Sequence, residues 1–233
     1  MVDTPLPVVA AGLLPDATRR LVRTADGLPD DDYAAPSVCT GWSRAHVLAH
    51  LALNAEGLAG ALTGIVDGER RPMYASEERR DGDIDELAAA SPSALRTRLL
   101  AACTDLAEAW AALPADQQAT TIDRIPGGRI FAAGAVPLMR VREVEIHHAD
   151  LDAGYSRADW PADFAALLLD ALAQQDDGTP FTARATDLER SWTWGSGGPT
   201  VSGTAADLGW WLTGRGAGDG LTSDSGALPR IGD

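Results

Sequence analysis

The chain has 233 residues, enough for one large domain or a medium domain with a smaller one, and for an ample core. Its formal net charge of −15 at pH 7 repels phosphates, and no arginine-rich run or aromatic-interleaved basic stripe reverses this locally, so nucleic acid is excluded as a partner. All 19 basic residues are arginine, which also excludes lysine Schiff-base chemistry and the P-loop lysine.

No apolar stretch approaches the roughly 20 residues that span a bilayer, and the start, Met1-Val2-Asp3-Thr4-Pro5, has no basic n-region; neither membrane attachment nor a signal segment is expected. Cys39 and Cys103 are too few and too far apart for a disulfide scaffold or a cysteine-based zinc site, so each reads as a small buried hydrophobe. The expected setting is a reducing cytoplasm, and the expected state a monomer.

In chain order, residues 13 to 28 carry an apolar pattern (Leu13, Leu14, Ala17, Leu21, Val22, Ala25) that predicts a helix, interrupted at Asp30-Asp31-Asp32. A second helix starts after Gly41-Trp42 with Ser43 as N-cap and runs through His46, Val47, His50, Leu51, Leu58 and Leu62. The third opens at Ser91-Pro92, a cap followed by proline at the first helical position, and continues through Leu95, Leu99, Leu106, Trp110 and Leu113. A fourth spans about residues 137 to 152 and ends at Gly154, a good C′ residue. Four such stripes make a four-helix bundle over residues 1–154, whose core is a normal place for a metal site.

Beyond Tyr155 the texture changes. Residues 161 to 175 form one more amphipathic helix; Phe181 to Ala185 and Ser191 to Trp194 then alternate as strands around Thr186-Asp187-Leu188, and Thr200-Val201-Ser202 reads as a third. Thr204 to Asp207 resembles a capping box leading into a helix through Trp210-Trp211-Leu212, stopped by Gly214. The fold class is therefore α+β, with a small α/β domain over residues 155–233. Its Gly/Ser-rich stretch, residues 214 to 226, is expected at the surface.

The chemistry-bearing constellation is His50 with Glu143 and His147. Glu143 and His147 are four residues apart, so at about 100° per residue they lie one turn apart on one helix face, and His50 supplies a third ligand from a facing helix. Two histidines and one carboxylate, with water completing the shell, match a catalytic zinc site, although non-haem iron or another divalent ion suits the same donors. Two rival pairs exist: His46 with His50, and Glu145 with His148. Periodicity does not choose among them, but one of the Glu/His pairs on the fourth helix should face inward and the other should not. His46 reads as a hydrogen-bonded core histidine, and Arg140, Arg142, Glu145 and Asp150 as a solvated, charge-paired face.

Three segments carry a resemblance to a known family: Thr40-Gly41-Trp42-Ser43-Arg44-Ala45-His46-Val47-Leu48-Ala49-His50-Leu51-Ala52-Leu53-Asn54-Ala55-Glu56; Met73-Tyr74-Ala75-Ser76-Glu77-Glu78-Arg79-Arg80-Asp81-Gly82-Asp83-Ile84; and Arg142-Glu143-Val144-Glu145-Ile146-His147-His148-Ala149-Asp150-Leu151. In order and over nearly the whole chain they resemble the mycothiol-dependent maleylpyruvate isomerases, which join a metal-binding DinB-like four-helix bundle to a small C-terminal α/β domain. The resemblance implies zinc on His50, Glu143 and His147, mycothiol as thiol cofactor, and substrate-contacting arginines at Arg80 and Arg215. Arg79 stands beside Arg80, which leaves the first of these one residue uncertain. No residue is assigned to mycothiol.

The implied reaction turns a cis double bond trans. A thiolate adds to the activated alkene, leaves a single bond free to rotate, and departs again. A thiol with an unperturbed pKa near 8.5 is mostly protonated at neutral pH, and coordination to a divalent cation deprotonates it. Arginine forks suit the carboxylates of the dicarboxylate substrate. Cys39 as nucleophile ranks below an external thiol, because nothing basic beside it in sequence lowers its pKa. Two other readings remain open at this level: a mycothiol S-transferase that consumes its thiol, and a non-catalytic metal- or ligand-binding protein.

Overall fold

Residues 4–175 and 179–231 are described by the computed structural model of the chain. Residues 1–3, which open the stretch read for a signal segment, and residues 232–233 lie outside the described part. The described residues divide into two compact units: residues 11–154, and residues 155–231 together with residues 4–10.

The first helix, α1 (Leu6–Gly27), begins earlier than its apolar pattern predicts. Pro5 precedes it and Pro7 falls in its first turn, where a missing N–H costs no helical hydrogen bond. Ala17, Leu21 and Ala25 form its buried stripe. The second, α2 (Arg44–Asp67), opens at Ser43, whose side chain accepts from the His46 N–H, and stops at Gly68 in the left-handed region, φ 75°. Its buried residues lie on every side, as in a helix surrounded by others.

Periodicity does not anticipate helix α3 (Glu77–Ala88). It is dense in Glu, Asp and Arg, and only Ile84 and Leu87 are buried, so it has no apolar stripe to detect. Its start signal is nevertheless legible: Ser76 accepts from the Arg79 N–H, and Glu77 and Glu78 follow in the first turn, where they suit the positive helix end. Helix α4 (Pro92–Ala112) starts at the expected Ser91 cap and buries Leu95, Leu99, Ala102 and Leu106. A hairpin of β1 (Thr121–Asp123) and β2 (Ile130–Ala132) precedes α5 (Val136–Asp150). Three-residue strands are too short for alternation to register in the sequence. Within this unit α2 is central and packs against α3, α4 and α5.

The hairpin positions the segment that leads into α3. The N–H groups of Met73 and Tyr74 donate to the carbonyls of Asp123 and Arg124, both at 3.0 Å, and Arg70 grips the Asp123 carboxylate through two bonds of 2.5 and 2.7 Å. Gly57 on α2 permits the approach, since a Cβ there would lie 2.8 Å from the Met73 carbonyl oxygen.

In the C-terminal unit, α6 (Ala162–Leu172) precedes β3 (Phe181–Ala185), β4 (Arg190–Trp194), β5 (Thr200–Gly203), α7 (Ala205–Leu212) and β6 (Thr222–Ser223). The sheet order is β4-β3-β5-β6, with β3 and β5 parallel and the other pairs antiparallel. Phe181 is fully buried and stacks on Trp194, ring centroids 4.5 Å apart, with Trp211 against its edge; Leu169, Val201 and Leu208 complete the core. The Gly/Ser-rich stretch is largely exposed, yet supplies β6 as an edge strand, which composition alone does not reveal. The molecule thus has the expected class, a helical N-terminal region with a small sheet-containing C-terminal unit. No helix among the described residues is long and apolar enough to cross a membrane.

Candidate metal centre

His50 leaves α2 toward α5, and its Nε2 lies 2.8 Å from Oε2 of Glu143. Nε2 of His147, one turn further along α5, lies 3.5 Å from the same oxygen. The two imidazoles meet edge to face at 4.8 Å. One ligand atom from each of the three residues fits within 4.8 Å of the others, a spacing that one ion can bridge. Behind them, Nδ1 of His147 is 2.8 Å from Oδ2 of the fully buried Asp150, and the Cys39 thiol donates to the same oxygen at 3.4 Å. A carboxylate behind a ligating histidine fixes its tautomer and leaves Nε2 for the ion. The donor chemistry and the supporting carboxylate therefore fit a divalent metal. A second cluster, Cys39, His147 and Asp150, also has ligand spacing, but it shares His147 and takes away its supporting carboxylate.

The electrostatics express the same crowding. Burial pushes the His50 imidazole below its ordinary value, against the pull of Glu143. Burial alone would raise the Glu143 carboxyl, but hydrogen bonds from His147 and His50 hold it well below the usual range. Burial works against charge on His147, yet its bonds to Asp150, Cys39 and Glu143 push it up to about 11. The carboxylate is thus held by protons on imidazoles, the positions that a cation takes over.

Of the two rival pairs, the first resolves as expected and the second does not. His46 completes the N-terminal cap of α2, its Nδ1 2.6 Å from the Ser43 hydroxyl oxygen. Glu145 and His148 do not turn to solvent: each is 1% exposed, because α1 covers that side of α5. Glu145 pairs with Arg20, and Nε2 of His148 meets the Thr24 hydroxyl at 2.8 Å. Glu145 and His148 are therefore enclosed toward α1, whereas Glu143 and His147 face α2 and stay partly exposed. The solvated charged face expected on α5 is likewise absent, since Arg140, Glu145 and Asp150 are all buried. Apart from the His147 contact of Asp150, their partners come from α1, α2, α4 and the Cys39 loop, which local spacing cannot foresee.

Of the adjacent arginines, Arg79 pairs with Asp83 at the surface, whereas Arg80 turns inward with Nη2 3.2 Å from Nδ1 of His50. The Arg80 guanidinium also approaches the Tyr74 ring at 5.8 Å, and burial raises the Tyr74 hydroxyl above its ordinary pKa. Nε of Arg80 is buried with no hydrogen-bond partner among the described residues. A cavity of about 390 Å³ with Tyr74, Arg79 and Arg80 in its wall opens beside it. Spacing in the sequence does not single out Tyr74, Asn54 or Trp42 as site residues, although all three stand inside the quoted segments. The Trp42 ring lies against His50 at 5.6 Å. Arg215 belongs to the C-terminal unit, where Nη1 donates to the Thr213 carbonyl at 2.8 Å and the guanidinium approaches Trp210 at 5.8 Å.

Two family models match the chain: the mycothiol maleylpyruvate isomerase N-terminal domain over residues 14–152, and the MDMPI C-terminal domain over residues 159–232. Among solved structures, the crystal structure of a mycothiol-dependent maleylpyruvate isomerase superposes with a TM-score of 0.86 at 28% identity, covering 98% of this chain and 97% of its own. A histidine-to-alanine mutant of a mycothiol-dependent maleylpyruvate isomerase superposes with a TM-score of 0.85 at the same identity and coverage. Curated proteins yield no match.

Proposed function

The chain belongs to the mycothiol maleylpyruvate isomerase family, and from that membership we propose that it converts maleylpyruvate to fumarylpyruvate, an enzymatic cis–trans isomerisation, with mycothiol as thiol cofactor and a divalent metal, zinc by preference, on His50, Glu143 and His147. The observation that carries the reading is the meeting of those three side chains, with Asp150 behind His147, inside a chain matched from end to end by a mycothiol-dependent isomerase. Bound there, the cation supplies a Lewis-acid position that lowers a thiol's pKa, and mycothiol supplies the reversible addition that makes the substrate's double bond a rotatable single bond.

The chain's own residues do the rest. Asp150 keeps the His147 proton on Nδ1, so that Nε2 stays a lone-pair donor. Arg80 sits beside this ligand set, with Nη2 3.2 Å from Nδ1 of His50 and Nη1 paired with Asp81, so its guanidinium is placed to receive a substrate carboxylate next to the metal ligands. The unpartnered Arg80 Nε and the adjoining cavity suit that role. A fixed arginine also stabilises the enolate charge that builds up when the thiol adds. On this reading the enzyme works as a cytoplasmic monomer on a small dicarboxylate and a low-molecular-weight thiol, without nucleic acid or membrane.

The test is maleylpyruvate turnover by the zinc-loaded chain beside His50→Ala, Glu143→Gln and His147→Ala variants of unchanged helix content. Activity in the parent and its loss in all three, together with their bound metal, supports the assignment. A His50→Ala variant that keeps full metal and full activity overturns it.

A further inference from the structure

On the bundle unit, away from His50, Glu143, His147 and Arg80, a cavity of about 280 Å³ lies between α1, α4 and the first turn of α5. It shares no lining residue with the candidate metal centre. Its walls are mainly apolar, with Leu14, Leu106, Trp110, Val136 and Pro137 among them, and Ala107 stands exposed at its rim.

Its single charged lining residue is Arg140, which is 1% exposed and among the largest fully buried side chains of the molecule. Every acceptor around that guanidinium is neutral. Nη1 donates to the Leu51 carbonyl at 2.9 Å and to Asn54 Oδ1 at 2.8 Å, and Nη2 reaches the Cys103 sulfur at 3.6 Å. Among the described residues no carboxylate pairs with it, although the chain carries 34 acidic residues and its exposed arginines are paired repeatedly. An arginine cannot shed its proton to escape burial, so an unpaired buried guanidinium is a standing demand for an anion. The start of α5 adds to it: Val136 and Pro137 form the first helical turn, Ala135 at the N-cap offers no capping side chain, and the positive end of the helix faces the same space.

We infer that this cavity is a second small-molecule site, for an amphipathic monocarboxylate whose carboxylate meets Arg140 and whose short apolar tail lies between Leu14, Leu106 and Trp110. The volume sits at the small end of the roughly 300–1,000 Å³ typical of ligand sites, which suits a chain of several carbons rather than a long lipid. The charge selects an acid over an alcohol or amide of equal length.

The probe is octanoate, titrated calorimetrically into the full chain, with octanamide as its neutral isostere. The expected result is one octanoate per chain, with octanamide at least tenfold weaker. Ala107→Trp, a rim substitution outside the metal centre, closes the cavity and abolishes octanoate binding while metal content and isomerase turnover stay unchanged. Arg140→Met weakens octanoate at least tenfold; should that variant fold poorly, Ala107→Trp alone decides the question. Absence of binding to the parent at millimolar octanoate overturns the site, as do equal affinity for octanamide, undiminished binding in Ala107→Trp, or displacement of octanoate by the dicarboxylate substrate.

Discussion

Asp150 holds His147 from behind: its Oδ2 lies 2.8 Å from Nδ1 of the imidazole, and its side chain is fully buried. This contact decides which nitrogen His147 presents to Glu143 and His50. Asp150→Asn keeps the shape but removes the charge that fixes the tautomer. Loss of such a supporting partner typically costs 10–100-fold in metal affinity or activity. Zinc competition against a chromogenic chelator should show a shift of about that size, with helix content unchanged. Affinity within twofold of the parent would reduce Asp150 to a packing role.

Arg80 is expected to act through its fork and not only its charge. Arg80→Lys retains a cation but not two parallel donors, so turnover should fall roughly tenfold to a hundredfold, in line with about 1.5–3 kcal/mol for hydrogen bonds to charged groups. Arg79→Ala, which removes an exposed pair with Asp83, should stay within about twofold. Steady-state kinetics on the two variants separates the neighbours, and the reverse ranking would move the substrate contact to Arg79.

How much of this is legible in the chain follows from what each signal depends on. Ser43, Ser91 and Thr204 announce their helices because a cap is a local event, and the alternation of Phe181 to Ala185 announces a strand for the same reason. The spacing of Glu143 and His147 is equally local. The enclosure of Glu145, His148 and Arg140 depends on α1, α2 and α4 closing around α5, so in the sequence their charges look like a wet face. Helix α3 escapes because its stability rests on a cap and charges rather than an apolar stripe, and with it goes the reason why Arg80, not Arg79, turns toward His50.

Phe181 anchors the C-terminal unit, being fully buried between Trp194 and Trp211. Phe181→Ala should cost about 3–5 kcal/mol through lost contacts and the cavity left behind. Denaturant unfolding followed by tryptophan emission would record it as an earlier transition. A midpoint unchanged from the parent would mean that the stacked rings contribute little.

The Arg70 and Asp123 pair gives a pH signature. Hydrogen bonds from Arg70, acting against some desolvation, hold the Asp123 carboxyl below its ordinary value. A depressed folded-state pKa adds stability above the unfolded value, and that contribution is lost as pH falls through the folded value. Thermal scans from pH 6 downward should therefore show a steeper loss below about pH 4 in the parent than in Asp123→Asn. Parallel acid limbs would mean that the pair contributes nothing to acid stability.

Whether the thiol is a catalyst or a reactant separates an isomerase from every other use of this site. Maleylpyruvate disappearance is followed by ultraviolet absorbance in the presence of zinc-loaded protein and a small amount of mycothiol, with free thiol measured alongside. The prediction is conversion in large molar excess over mycothiol with the thiol concentration unchanged at the end. Conversion that stops when the thiol is consumed, or none at all, would contradict an isomerase and leave conjugation of another electrophile, or plain binding, as the work of this site.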